Sequence, residues 1–181
     1  MEHRIGNRRR AALSWACVGV FVLLLAGCGY NFAGRGGESV YPAVKTLYVE
    51  TFINKTSEAN LDNIFRTAFN SEIVQNGRFK LVGSLEESDA VLRATIQALV
   101  AAPISYKPSN LAAEDRITVV MDLVLDDGKS AKPLWSSYGF SLTGDYTITS
   151  VGVTEVSRRN ALIKLASDSA EKAYRMMMSD F

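Results

Sequence analysis

Histidine and cysteine are almost absent from this 181-residue chain, and the few that occur lie at its start. The single histidine is His3 and the two cysteines are Cys17 and Cys28. Without imidazole and thiol groups, residues after Cys28 cannot form a Ser-His-Asp triad, a Cys-His pair, a zinc site of the usual composition or a disulfide. We therefore expect a protein that is not an enzyme and that has no metal and no cofactor.

Carboxylates are the remaining candidates for acid–base chemistry. Two adjacent acidic pairs occur, Glu86-Glu87 and Asp126-Asp127, and each lies near a turn residue, Ser84 or Gly128. We expect solvated loop carboxylates at both places.

The first 27 residues have the charge pattern of a secretory signal peptide. Arg4, Arg8, Arg9 and Arg10 make the start basic, and an uncharged, strongly apolar stretch follows over residues 11–26. Because sixteen residues fall short of the roughly 20 that a straight transmembrane helix needs, we predict a cleaved signal peptide over residues 1–27.

The end of this stretch resembles the lipobox of bacterial lipoproteins. Leu25, Ala26 and Gly27 are the residues that signal peptidase would recognise, and Cys28 would carry diacylglycerol and a further acyl chain such as palmitate. Gly29, where an inner-membrane lipoprotein would have Asp, favours sorting to the outer membrane. The alternative is ordinary cleavage that leaves Cys28 as a free thiol in an oxidising compartment.

The predicted mature chain suits one domain without a nucleic-acid partner. Cleavage removes four of the 20 basic residues and one of the 19 acidic residues, which leaves sixteen against eighteen. A chain of this length folds as one domain, and a net charge of about −2 does not suit a general polyanion binder.

Apolar periodicity predicts an α+β domain over residues 45–181, joined to Cys28 by a glycine-rich tether over 28–44. Strands are predicted over 45–53, 78–82, 89–105, 116–125 and 134–142, and helices over about 60–76 and 154–178. Loops are predicted over 103–114 and 144–152. This β-α-β-β-β-β-α order favours two helices on one face of a four- to five-stranded, largely antiparallel sheet.

The predicted opposite face of the sheet is half polar. Its residues are Arg93, Thr95, Gln97, Arg116, Thr118 and Asp122. This face is either plain solvent surface or a place where the protein meets a partner.

Short motifs in a particular order carry a family resemblance. They are the Cys-Gly-aromatic start over 28–32, a first strand ending in Phe-x-Asn-x-Thr over 47–56, the segment 78–82 and the Asp-Ala step over 89–92. Together with the terminal amphipathic helix, they resemble the LptE family of lipopolysaccharide-assembly lipoproteins. The resemblance implies an outer-membrane lipoprotein on the periplasmic side that sits one to one within the lumen of the LptD β-barrel. Such a protein helps the barrel assemble and assists transport of lipopolysaccharide to the cell surface.

Lipopolysaccharide presents phosphates on an acylated core, so a direct contact needs exposed bases, preferably beside apolar or aromatic surface. Lys107, next to Tyr106 on the loop 103–114, is the first candidate, and Arg116 at the base of that loop is the second. The alternative for both is a solvated base on a loop.

A second class of function remains open from the sequence. Lipoproteins that activate peptidoglycan synthases, and secretion lipoproteins resembling CsgG, also begin with a strand ending in Phe-x-Asn and a following helix. Stable binding to a large β-barrel would distinguish an LptE-like protein from these scaffold proteins.

Overall fold

A mixed six-stranded sheet carrying two helices makes up the described part of the chain. The computed structural model describes residues 40–106, 112–148 and 151–179, all within the compact unit Ser39–Phe181. The elements in chain order are β1 (Thr46–Val49), β2 (Ile53–Asn54), α1 (Leu61–Asn76), β3 (Lys80–Leu81), β4 (Ala90–Tyr106), β5 (Ala112–Asp127), β6 (Pro133–Thr147) and α2 (Val151–Met178). The predicted α+β class and element order are confirmed, with the first predicted strand divided into β1 and β2.

The sheet has the order β3-β1-β4-β5-β6, and β2 also pairs with β4. β4, β5 and β6 form an antiparallel meander, whereas β1 runs parallel to both β3 and β4. The prediction of a largely antiparallel sheet is confirmed for the three long strands, and the short strands β1, β2 and β3 add parallel pairs that make the sheet mixed. The reason is that α1 crosses over between β1 and β3, and such a crossover returns the chain in the same direction.

The first predicted strand is interrupted because its backbone leaves the regular ladder between Val49 and Ile53. The Glu50 amide still donates to the Leu92 carbonyl oxygen at 3.0 Å, and pairing resumes where Ile53 lies opposite Thr95. Phe52 lies in this gap and is buried, with its ring 5.3 Å from that of Phe69 on α1. The interruption thus places an aromatic side chain under the helix.

Helix α1 follows the predicted apolar stripe. Its buried residues, spaced by four, are Leu61, Phe65, Phe69 and Ile73. The helix ends at Gly77, which has φ +64° and donates its amide to the Ile73 carbonyl oxygen at 3.3 Å. Glycine adopts this left-handed conformation without the cost that a side chain would add.

Helix α2 packs against β6 and α1 through small residues. Its buried residues are Ala161, Leu162, Leu165, Ala166, Ser169, Ala170, Ala173, Tyr174 and Met177. At Gly144 of β6, an added Cβ would lie 3.6 Å from the Leu165 Cβ and 3.8 Å from the Ala161 carbonyl oxygen. Alanine and glycine therefore allow the helix to lie close to the sheet.

β5 and β6 extend further than predicted, since β5 begins at Ala112 and β6 continues to Thr147. Together with β4, which ends at Tyr106 about where predicted, β5 takes up much of the expected loop 103–114. Pro103 lies opposite Asp115, and in β6 Gly144 lies opposite Ile117, inside a segment predicted as a loop. In a sequence, proline and glycine both suggest that a strand ends. An edge of a sheet nevertheless tolerates proline, which has no amide proton, and glycine, which has no side chain. The prediction of loops at these two places was wrong for that reason.

The core lies between the helices and one face of the sheet. Leu92, Ala94 and Ile96 of β4 face the helices, and a fully buried row runs along β5. That row consists of Ile117, Val119, Met121, Leu123 and Leu125. Burial of each such side chain contributes roughly 1.5–3 kcal/mol relative to its exposure, so this layer is the main source of stability.

Candidate functional site

The predicted lipidation signal and one predicted contact residue lie outside the described residues. These positions are Leu25, Ala26, Gly27, Cys28, Gly29 and Lys107. Arg116 is the predicted site residue that the structure does describe.

Arg116 lies on β5, on the open face of the sheet, which is the face turned away from the helices. The residues of this open face include Arg93, Thr95, Gln97, Arg116, Thr118 and Asp122, each of them half-buried or exposed. The Arg116 side chain is 47% exposed and forms a two-pronged ion pair with Asp145 of β6. Its Nε lies 2.7 Å from Asp145 Oδ1 and its Nη2 lies 2.9 Å from Oδ2. A ligand phosphate would therefore have to displace Asp145 from this guanidinium.

Hydrogen bonding between these partners shifts the pKa of each. The hydrogen bond from Arg116 lowers the pKa of Asp145, and the same bond raises the pKa of Arg116. Both groups therefore carry full charge at neutral pH, and the pair is electrically balanced.

The remaining charges of the open face are also paired across strands. Arg93 bridges Glu50 and Asp126, and its Nε lies 2.6 Å from Glu50 Oε2. Asp126 is 8% exposed, so the prediction of a solvated loop carboxylate was wrong at this position. It faces Val91 across the β4–β5 ladder, where the Arg93 side chain reaches it.

A second polar chain runs across the middle of the open face. Lys55 Nζ donates to Gln97 Oε1 at 3.2 Å, and Gln97 Nε2 donates to Asp122 Oδ2 at 2.6 Å. The Gly139 amide donates to the other oxygen of Asp122 at 2.8 Å, and this bond is the largest contribution lowering the pKa of Asp122. The open face thus presents hydrogen-bonded, mutually neutralised groups rather than a patch of one charge.

A part-buried cluster that no local sequence pattern predicts joins four segments at the end of the sheet near Glu114 and Thr147. Arg158 of α2 donates to both oxygens of Glu58, at 2.9 and 2.6 Å, although the residues are 100 positions apart. Tyr146 of β6 donates its hydroxyl to Asp115 Oδ2 at 2.9 Å. No local motif marks such long-range partners, so only the fold reveals them.

The same cluster has shifted pKa values. The hydrogen bond from Arg158 lowers the pKa of Glu58 and outweighs the opposing effect of burial. Burial, followed by the hydrogen bond to Asp115, raises the pKa of Tyr146. The cluster therefore holds an ionised Glu58 and a neutral Tyr146, and it ties the start of α2 to the loop before α1.

The second half of β4, residues 97–106, is named distal β4 here. From Ala98 to Ile104 it contains no charged side chain, and the side chains of Val100 and Ile104 are 56% and 42% exposed. Ala101, Ala102 and Pro103 are exposed as well. Distal β4 is thus a largely apolar strand segment at the margin of the core, against which its Leu99 packs.

Other kinds of site find little support in the described residues. No group of three or more His, Cys, Asp and Glu side chains in the described ranges could hold a metal ion. Neither α1 nor α2 is long and apolar enough to cross a membrane. A groove of about 450 Å³ between the two helices is lined largely by polar residues, such as Asn63, Thr67 and Gln75.

Known proteins show similarity at two levels. The family model LptE, described as lipopolysaccharide-assembly, matches residues 44–177. A minor lipoprotein from Acinetobacter baumannii is similar in structure, at 11% identity and a TM-score of 0.50, over 74% of this chain and 90% of that one. The rare lipoprotein B from Shewanella oneidensis is similar at 14% identity and a TM-score of 0.48, over 74% and 93% of the two chains. A comparison with curated proteins gives no match.

The family match begins two residues before β1 and ends in the last turn of α2, and so spans every strand, α1 and all but the last residue of α2. The likeness to the Acinetobacter structure supports the fold independently. The order of short motifs in the sequence agrees with both findings. The chain therefore belongs to the LptE family of lipopolysaccharide-assembly proteins.

Proposed function

We propose that this protein is an outer-membrane lipoprotein that plugs the LptD β-barrel one to one, helps the barrel assemble and assists lipopolysaccharide transport to the cell surface. The observation that carries the proposal is the family match over residues 44–177. The surface chemistry agrees with it. A barrel lumen is polar and wet, and a plug needs a compact domain whose surface charges are balanced. The paired charges of the open face meet that need.

The partner can be tested by mild-detergent purification of the full-length lipoprotein from outer membranes, followed by mass identification of the bound protein. An unrelated outer-membrane lipoprotein, purified in the same way, serves as the control. We expect a large β-barrel at one-to-one stoichiometry with this protein and not with the control. A peptidoglycan synthase or a secretion ring in its place would contradict the proposal.

The anchor is a separate part of the proposal. Cys28 would be the mature N-terminus, lipidated, cut after Leu25-Ala26-Gly27 and sorted by Gly29. Acyl chains stabilise membrane binding by about 0.8 kcal/mol for each buried methylene, so two or more chains give a lasting anchor. Mass spectrometry of the mature protein should find an N-terminal peptide that begins at Cys28 and carries acyl groups. The variant Cys28→Ser should retain the full-length chain.

Direct contact with lipopolysaccharide would use Lys107 and Arg116 as phosphate ligands. Because Asp145 occupies the Arg116 guanidinium, Asp145→Asn should strengthen binding of lipopolysaccharide, and Arg116→Glu should weaken it. Lys107→Glu should weaken binding as well. Lys164→Glu changes an exposed base on α2 and is the matched control. Equal binding by all four variants would remove these residues from the site.

A further inference from the structure

On the side of β4 opposite β5, there is room for a neighbouring strand along the whole length of β4. Among the described residues, this position is filled along the first half of β4 and open along the second half. β2 fills it where Ile53 and Asn54 lie opposite Thr95 and Ile96. The last hydrogen bond on this side runs from the Lys55 amide to the Ile96 carbonyl oxygen at 3.0 Å. Beyond Ile96, no described residue pairs with this side of β4, so its backbone donors and acceptors face outward. This open position beside distal β4 is called the lane here.

The other two edges of the sheet are shorter or less regular than this one. β3 has only two residues. β6 is long, but a register shift between Met121 and Leu123 on its neighbour interrupts it, and Gly139 there has φ +66°. Short strands and bulges are the usual ways in which proteins prevent edge-to-edge association.

Distal β4 lacks the charges that usually protect an edge. The stretch from Ala98 to Pro103 pairs regularly with β5 on its other side, from Val120 to Asp115. It therefore has the backbone geometry to accept a further strand of about six residues, or roughly 20 Å. Its exposed Val100 has no apolar cover among the described residues.

We propose that an extended segment of the barrel partner enters the lane and pairs with residues 98–103, continuing the position of β2. This inference rests on the proposed function and specifies how the partner is held. An acyl chain would cover Val100 but could not satisfy the backbone amides and carbonyls, whereas a strand does both. Pro103, which has no amide, would mark one end of the pairing.

The test uses the full-length lipoprotein, purified with its barrel in mild detergent. Val100→Lys places a charge on the open face of the strand that borders the lane, and Ser141→Lys places the same charge on an exposed position of β6 as the matched control. Recovery of the barrel should fall by about tenfold or more with Val100→Lys and remain unchanged with Ser141→Lys, because an unpaired charge would be buried. Circular dichroism should show both variants folded.

Photo-crosslinking identifies the occupant. With p-benzoylphenylalanine in place of Ala101, irradiation of cells should give covalent adducts confined to one extended segment of the barrel. The same group in place of Ser141, which a plug also brings near the barrel wall, should give no adduct with that segment. Adducts at position 101 with a second copy of this chain, or with lipid alone, would overturn the inference. So would unchanged barrel recovery with Val100→Lys. Failure of the wild-type protein to recover any barrel would instead overturn the proposed function itself.

Discussion

The two halves of β4 belong to one continuous strand but have opposite surroundings. From Ala90 to Ile96 the strand has β1 and β2 on one side and β5 on the other, and its inward residues are buried. From Gln97 onward the described neighbour is β5 alone, and apolar side chains are exposed. The register shift between Ile96 and Ala98 lies at the boundary. The first half is thus explained by the core, whereas the apolar surface of the second half is what the proposed partner strand would cover.

The largest expected difference between the halves concerns stability. Ile96 is fully buried, so Ile96→Ala should lower the free energy of unfolding by about 2–5 kcal/mol through lost burial and a cavity. Val100→Ala should change it by no more than about 0.5 kcal/mol, because Val100 is exposed. Denaturant unfolding followed by circular dichroism measures both. Similar losses for both variants would mean that distal β4 is part of the core.

A second expected effect concerns the close packing at the start of β4. A Cβ added at Gly128 would lie 2.4 Å from the Ser88 carbonyl oxygen, so the backbone must move in Gly128→Ala. We expect a loss of about 1–3 kcal/mol. Gly83→Ala is the matched control, since nothing lies within 4 Å of its added Cβ, and its effect should stay within about 1 kcal/mol. Thermal denaturation of the two variants tests this difference, and equal melting temperatures would contradict the expectation that Gly128 is closely packed.

A third effect tests whether the cluster near the far end of the sheet stabilises the fold. Arg158→Gln removes the two hydrogen bonds to Glu58 and should cost about 1 kcal/mol. Lys164→Gln, which removes an exposed pair with Asp168 on the same helix, should cost less than about 0.5 kcal/mol. Because the folded-state pKa of Glu58 is lowered, its contribution is present above the unfolded pKa and is lost as pH falls through the folded pKa. A pH-independent difference between wild type and Arg158→Gln across the acid range would contradict this account.

The smallest effect concerns Asp89, which joins the start of β1 to the start of β4. Its Oδ2 accepts hydrogen bonds from the amides of Lys45 and Thr46, each at 3.0 Å, and these bonds lower its pKa. Stability from Asp89 is therefore present above its unfolded pKa and declines as the pH falls through its folded value. Asp89→Asn should lower the melting temperature slightly at neutral pH and should reduce its acid dependence. A melting temperature that falls by the same amount at all pH values would contradict the charge-based explanation.

Local patterns predicted the elements that depend on local periodicity. The stripe from Leu61 to Ile73 identified α1, and the Asp-Gly turn after Asp126 placed the hairpin of β5 and β6 correctly. Arg93 and Thr95 of β4 were predicted on the face away from the helices and lie there, while the alternate residues Leu92, Ala94 and Ile96 are buried.

What the sequence could not predict depends on partners distant along the chain. The parallel pairing of β1 with β4 follows from the path of α1, and the Glu58–Arg158 pair joins residues that no motif connects. The place of Arg116 on the open face of the sheet was predicted, but its pairing with Asp145 was not. Lys107 and the lipidation signal remain predictions, because both lie outside the described residues.

Hydrogen–deuterium exchange of the full-length lipoprotein, alone and bound to its barrel, tests the central claim most directly. In the free protein, amides of residues 91–96 should exchange slowly, because the strand is paired on both sides there. Among residues 98–102, the amides that do not donate to β5 should exchange quickly, because successive amides of a strand point to opposite sides. Binding of the barrel should slow exchange over 98–102 and leave 91–96 unchanged. Equal exchange over 98–102 in the free and bound protein would contradict the account.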